Sequence, residues 1–77
     1  MTEKILLVLS INYAQYSRWV KDNEDLIDSK HLKPMMLRPD SQTYRGVKQG
    51  YFVYVSGSFS TAVYECFYLN NIFEIKP

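Results

Sequence analysis

Hydrophobic positions along the chain fall into three short, unbroken runs rather than one long stretch. They are Ile5-Leu6-Leu7-Val8-Leu9, Met35-Met36-Leu37 and Tyr51-Phe52-Val53-Tyr54-Val55. Each run ends on residues that start turns or helices: Ser10-Ile11-Asn12, Arg38-Pro39-Asp40 and Ser56-Gly57-Ser58. Apolar runs of this length with such ends predict strands buried on both faces and joined by loops and helices.

The first strand is predicted over Lys4 to Ser10. Asn12 is a favoured helix N-cap, and Gln15 three residues on can return the bond in a capping box. From Tyr13 to Asn23, Tyr13, Tyr16, Trp19 and Val20 recur at helical spacing. Gln15, Arg18, Lys21 and Asp22 take the polar side. Trp19 is the expected anchor of this helix on the sheet, and Asn23 can end it in a left-handed cap. Asn23 to Leu32 carries the weakest pattern and reads as a loop or short turn docked through Leu26 and Ile27. A second strand is predicted over Lys33 to Arg38, with Pro34 suiting an edge position.

Pro39 stops that strand, and Asp40 or Ser41 can cap a single helical turn through Gln42 and Tyr44. Gly46 and Gly50 bracket a turn-rich approach to the third strand, Tyr51 to Ser56. Ser58 or Ser60 can then cap a helix from Thr61 to about Asn70, with Ala62, Val63, Cys66 and Leu69 as its core stripe. Val63, Glu65, Phe67 and Leu69 also alternate, so a strand is the competing reading of this segment. Ile72 to Ile75 is a last short strand ending at Lys76-Pro77.

Strand–helix–strand order with crossovers of this length implies parallel pairing and right-handed connections. The expected fold is one small α/β, Rossmann-like domain over residues 1–77, of two or three layers. Its sheet is mostly parallel, with three to four strands in the order 2-1-3-4 and two to three helices. Two helices do not cover both faces of such a sheet generously, so one face or edge is expected to be open to a partner.

Composition adds to this in two ways. The chain has 77 residues, 47% of them hydrophobic, with seven Tyr and four Phe; a domain this small has little interior for so many rings, so exposed aromatics are expected. The formal net charge is only +1, which argues against a general nucleic-acid binder. Asp22, Glu24, Asp25 and Asp28 do cluster, followed by Arg38, Arg45 and Lys48. Cys66 is the single cysteine; it excludes an internal disulfide and reads as a buried, inert thiol. His31 alone does not make a metal cluster. The N-terminus lacks a signal-peptide pattern, and no run is long enough to span a membrane, so a soluble cytoplasmic protein is expected.

The candidate chemistry sits where the strands end. In open α/β sheets, ligands bind outside the carboxyl ends of the strands, where the strand order reverses. Asn12, Arg38, Asp40 and Ser58, with Arg45 and Ser56 nearby, could hold an anion or phosphate there. No glycine-rich dinucleotide fingerprint and no Walker-type loop follows the first strand, so no cofactor is expected. The competing structural reading makes Asn12, Asp40 and Ser58 caps and Arg38 a solvated strand end. Asp22, Glu24, Asp25 and Asp28 have nothing nearby to desolvate them, and His31 has no nucleophile-elbow serine. An enzyme is not expected. Tyr51, Phe52 and Tyr54 could stack on single-stranded nucleic acid, but the strand lacks interleaved Lys or Arg, and core packing is the preferred role.

The order of the first strand, Asn12-Tyr13-Ala14-Gln15-Tyr16-Ser17-Arg18-Trp19, the second strand, Tyr44-Arg45-Gly46 and Tyr51-Phe52-Val53-Tyr54-Val55-Ser56-Gly57 resembles small uncharacterised proteins encoded by bacteriophages. Tyr44 stands where that pattern has an aliphatic residue. The Arg45-Gly46 step and following strand also look like the approach to a Walker B strand in phage packaging ATPases, but Ser56-Gly57 replaces the acidic pair. The resemblance implies a phage origin, a host-cytoplasm setting and no established activity. The function expected is that of a non-enzymatic accessory factor that binds a host or viral protein, as in host takeover or anti-defence. Tyr16, Tyr44, Arg45 and Tyr51 are the candidate contacts, and the same surface could form a homodimer. The alternative is a small-ligand or nucleotide-binding module using Asn12, Arg38, Asp40, Arg45 and Ser58.

Overall fold

A computed structural model describes residues 4–75 of the chain. Four strands, β1 (Lys4–Leu9), β2 (Leu32–Leu37), β3 (Gly50–Tyr54) and β4 (Ile72–Glu74), form one all-parallel sheet in the order β2-β1-β3-β4. Helices α1 (Tyr13–Asp22), α2 (Glu24–Ser29) and α3 (Thr61–Leu69) and a 3-10 turn at Thr43–Gly46 make the connections. The predicted strand order is the one found, with Pro34 on the edge strand β2. The predicted close at Lys76-Pro77 lies outside the described residues.

Register explains why the apolar runs are continuous. Leu6 pairs with Pro34 and Tyr51, and Leu7 with Met35 and Phe52. Partners in a parallel sheet share a face, and successive residues alternate between faces. Leu6 and Val8 therefore meet Ile27, Leu32, Val53 and Ile75 on one side, where Tyr16, Trp19, Val20 and Leu26 of α1 and α2 pack. Leu7 and Leu9 meet Leu37, Phe52, Phe67 and Ile72 on the other, under Tyr44, Phe59, Val63 and Tyr64. The domain has three layers, and β1 is its centre, with Leu6 to Leu9 fully buried.

The expectation is of an open face or edge; with helices packed on both sides, neither face is wholly open. The α1–α2 layer packs on β2 and the α3 layer on β4. What stays open is the amino-terminal half of β3 and β4 on the α1–α2 side, where Tyr51 is half-buried and Phe73 exposed.

Two local expectations are also corrected. Residues Glu24–Ser29 form a helix rather than a loop. Asn23 is not left-handed (φ −121°); it is the C-cap of α1 and the N-cap of α2 at once, and its side chain donates to the Trp19 carbonyl at 2.9 Å. Glu24 and Asp25 lie in the first turn of α2, where negative charge complements the helix dipole. Burial of Ile27 holds this short helix down. The left-handed residues are instead His31 (φ 53°) and Asn71 (φ 60°), each between a helix and the next strand. Their carbonyls accept from the N–H groups of Lys4 and Gly50, so each tight turn starts a new ladder.

Segment 61–69 is a helix, which settles the helix-or-strand alternative, but its core stripe is turned from the expected one. Phe67 is fully buried with Val63 and Tyr64 beside it, whereas Ala62 and Leu69 are exposed and Cys66 is only half-buried. The cause is aromatic area: Phe67 packs on Phe52 with centroids 4.8 Å apart, and Tyr44 meets Phe67 edge-on at 5.6 Å.

Candidate functional site

Order β2-β1-β3-β4 reverses between β1 and β3, so the crevice at their carboxyl ends is the expected ligand position. Here the protein fills it. The Asn12 side chain caps α1 by accepting the Gln15 N–H at 2.9 Å. Gln15 does not complete the predicted capping box; its side-chain oxygen accepts from the Ile11 N–H at 3.3 Å and from the Ser56 hydroxyl. Gly57 (φ 108°) brings the third loop in, and a Cβ there would lie 2.5 Å from Ile11 Cγ2 and 3.8 Å from Pro39 Cγ. The three strand ends do meet, but through Ile11, Pro39 and Gly57 rather than through charged groups.

The sequence-predicted ligand residues are not gathered. Asn12 is spent as a cap. Arg38, Asp40, Arg45 and Ser58 are exposed. Ser60, not Ser58, occupies the N-cap position of α3, and its side chain makes no cap bond. Among the described residues no group of three His, Cys, Asp or Glu could hold a metal. Among the described residues no helix is long and apolar enough to cross a membrane. Beside the filled crevice runs an open groove of about 260 Å³ lined by Gln15, Arg18, Trp19, Asp22, Val55 and Ser56. Its α1 members stand at the border of the apolar and polar faces, the signal by which the sequence could have given them.

The predicted partner contacts are dispersed as well. Tyr16 lies over β2, its hydroxyl donating to the Pro34 carbonyl at 3.3 Å; burial, and then the neighbouring Tyr13, holds its pKa above the ordinary tyrosine value. Tyr44 packs on Phe67 on the opposite face, and Arg45 is exposed beside it. Tyr51 is the one that belongs to a larger surface. With Lys4, whose ammonium sits 5.5 Å from its ring centre, and with Phe73 it lines a 230 Å³ depression at the amino ends of β3 and β4.

From there an apolar belt wraps around the β4 edge. Phe73 is 49% exposed, and its ring is 6.5 Å from that of Tyr68, itself 53% exposed. Leu69 follows at 84%, in a depression it shares with Glu65 and Tyr68. Within β4, Phe73 and Glu74 are exposed, whereas Ile72 is 1% exposed, so its backbone groups are covered. Asn71 accepts from Gly50, and the Ile75 N–H donates to Phe52 at 2.9 Å. In a parallel ladder these alternate residues face β3, so the N–H and C=O groups of Ile72 and Glu74 point away from it. Sequence reasoning missed Tyr68, Leu69 and Phe73. Compared with protein-family models, curated proteins and solved structures, the chain matches none of them.

Proposed function

We propose that the chain is a non-enzymatic accessory protein that recognises an apolar segment of a protein partner through the exposed side chains around β4. The observation that carries this reading is the belt of exposed apolar side chains formed by Tyr68, Leu69 and Phe73. The resemblance carried by Asn12 to Trp19, Tyr44-Arg45-Gly46 and Tyr51 to Gly57 supports a phage origin. The partner is then a host or viral protein in an infected bacterial cytoplasm.

The test places a photo-crosslinking residue at position 69, identifies what it captures, and reconstitutes that complex from purified proteins. Leu69→Asp is expected to weaken the complex about tenfold or more, as for a contact at the centre of an interface, with the melting temperature unchanged. Equal affinity of Leu69→Asp and wild type overturns the reading.

A second reading, a small-ligand module at the carboxyl edge, rests on the groove between Gln15, Arg18, Trp19 and Ser56. A saturable rise in melting temperature with a nucleotide or phosphorylated metabolite supports it, because a ligand of the native state stabilises that state. A flat response across such a panel removes it.

A further inference from the structure

The groove beside the filled crevice presents its chemistry in a fixed order along α1. Gln15, Arg18, Trp19 and Asp22 recur at the spacing of one helix face and line it together. Val55 and Ser56, just past β3, line it from the sheet side. Resting on the carboxyl-edge reading above, we infer that this groove takes a nucleoside monophosphate whose base carries an exocyclic amino group. Its phosphate lies on Arg18 and Gln15, and its base lies along Trp19 with the amino group at Asp22.

Gln15 sets the anion end. Its side-chain oxygen accepts from the Ile11 N–H, and a backbone N–H only donates, so the oxygen and nitrogen ends of the amide are fixed. The Ser56 hydroxyl uses the same oxygen. The amide nitrogen is thereby turned from the two loops toward the groove as a donor. Arg18 is exposed three residues on, and its planar guanidinium matches a phosphate with two parallel N–H groups.

Further along the charge reverses. Asp22 lies one turn beyond Arg18, about 6 Å along the helix axis. A carboxylate there accepts from an amino group and repels a phosphate. The half-buried Trp19 and Val55 pack on the sheet cluster and give their remaining surface to the groove. An indole in that setting takes a flat ring, and nucleobases stack on aromatic side chains of this kind.

Size narrows the ligand. The groove's 260 Å³ falls just short of the about 300–1,000 Å³ of pockets for drug-sized molecules, so it holds a base and leaves sugar and phosphate at the Arg18 rim. A longer phosphate chain has no glycine-rich cradle, since Ser10-Ile11-Asn12 follows β1. An α-amino acid fits less well, because its carboxylate and ammonium share one carbon and do not span Arg18 and Asp22.

The test titrates the full chain with CMP, UMP, cytidine and inorganic phosphate to about 5 mM, a range that reaches weak binding, and follows backbone and indole N–H signals by NMR. CMP and UMP match in size and differ at the base edge that faces Asp22. CMP is expected to shift the signals of Gln15, Trp19 and Ser56. It is expected to bind about tenfold or more tighter than UMP, as for a hydrogen bond to a charged group. Arg18→Ala should bring CMP down to the affinity of cytidine. Asp22→Asn, whose amide donates as well as accepts, should close the gap between CMP and UMP. Both positions are exposed, so the unligated melting temperatures should stay near wild type. Equal binding of CMP and UMP in the groove, or of CMP and inorganic phosphate, overturns the inference and leaves the small-ligand reading standing. Silence from all four removes the inference, and a flat response to the wider panel removes that reading with it.

Discussion

Gln15 and Ser56, 41 positions apart, share a hydrogen bond that closes the crevice between the carboxyl ends of β1 and β3. The same Gln15 oxygen holds the Ile11 N–H, so one half-buried amide ties two strand-end loops to α1. Gln15→Ala is expected to cost about 1 kcal/mol, the usual net worth of such bonding where water can reach the freed groups. A double-mutant cycle with Ser56→Ala should return a coupling of about 0.5 kcal/mol or more, as for residues in direct contact. Additive single-site losses in chemical denaturation would show that the two groups do not interact.

Gly50 opens β3 directly against β1. A Cβ at this position would overlap the Ile5 carbonyl oxygen, and the backbone there (φ 155°) is one that L side chains rarely adopt. The obstacle is backbone of the central strand, which cannot swing aside. Gly50→Ala is expected to cost about 3 kcal/mol, the upper end of the usual range for one substitution. The control is Gly46→Ala, where nothing lies within 4 Å. Its melting temperature should stay close to wild type while that of Gly50→Ala falls steeply.

On α3 the buried and exposed positions differ from the expected stripe, and two substitutions check the assignment. Phe67→Ala empties the centre of the cluster of Phe52, Tyr44 and Tyr64 and is expected to cost about 3–5 kcal/mol. Leu69→Asp removes no core contact and should change stability by no more than about 0.5 kcal/mol. Reversal of these two results in urea denaturation would restore the stripe through Leu69.

These residues show what the sequence carries and what it cannot. The three apolar runs were legible because two-sided burial removes polar positions from a strand, and Leu6 to Leu9 are apolar for that reason. The α2 helix was not, because a helix of six residues that buries only Ile27 has no room for a period. The face of α3 was ambiguous because Ala62, Val63, Tyr64, Cys66, Phe67, Tyr68 and Leu69 place apolar or aromatic groups around most of it. Asn12 was legible as a cap since its partner Gln15 is three residues away. The bond from Gln15 to Ser56 has no local signal, and an apolar residue at an open edge, such as Phe73, looks in sequence like a core residue.

His31 holds a left-handed conformation between α2 and β2, a position that favours glycine or asparagine. Its side chain is exposed, so truncation removes little packing. His31→Gly relieves left-handed strain of about 1–2 kcal/mol and gives back part of it through the greater freedom of unfolded glycine. The net gain expected is a few tenths to about 1 kcal/mol, or a rise of up to roughly 8 °C in melting temperature for a domain of this size. His31→Val should move the other way, since a β-branched residue resists positive φ. A lower melting temperature for His31→Gly than for wild type would refute the strain.

Stability should also fall in alkali, through two tyrosines. Tyr16 is held above the ordinary pKa by burial and then by Tyr13; Tyr64 by burial, then by Tyr54 and Glu74. In both cases the native state favours the neutral phenol. Their contribution is therefore complete below the unfolded tyrosine pKa of about 10 and is lost as pH rises from there through the higher folded values. Above both values the unfolded chain has gained the advantage of ionising first. Tyr16→Phe also deletes the hydrogen bond to the Pro34 carbonyl, a loss of about 0.5–1.5 kcal/mol at neutral pH. Urea denaturation at pH 8 and pH 11 should show wild type losing stability, and the Tyr16→Phe/Tyr64→Phe variant losing measurably less. Parallel losses in the two proteins would place the alkaline transition elsewhere in the chain.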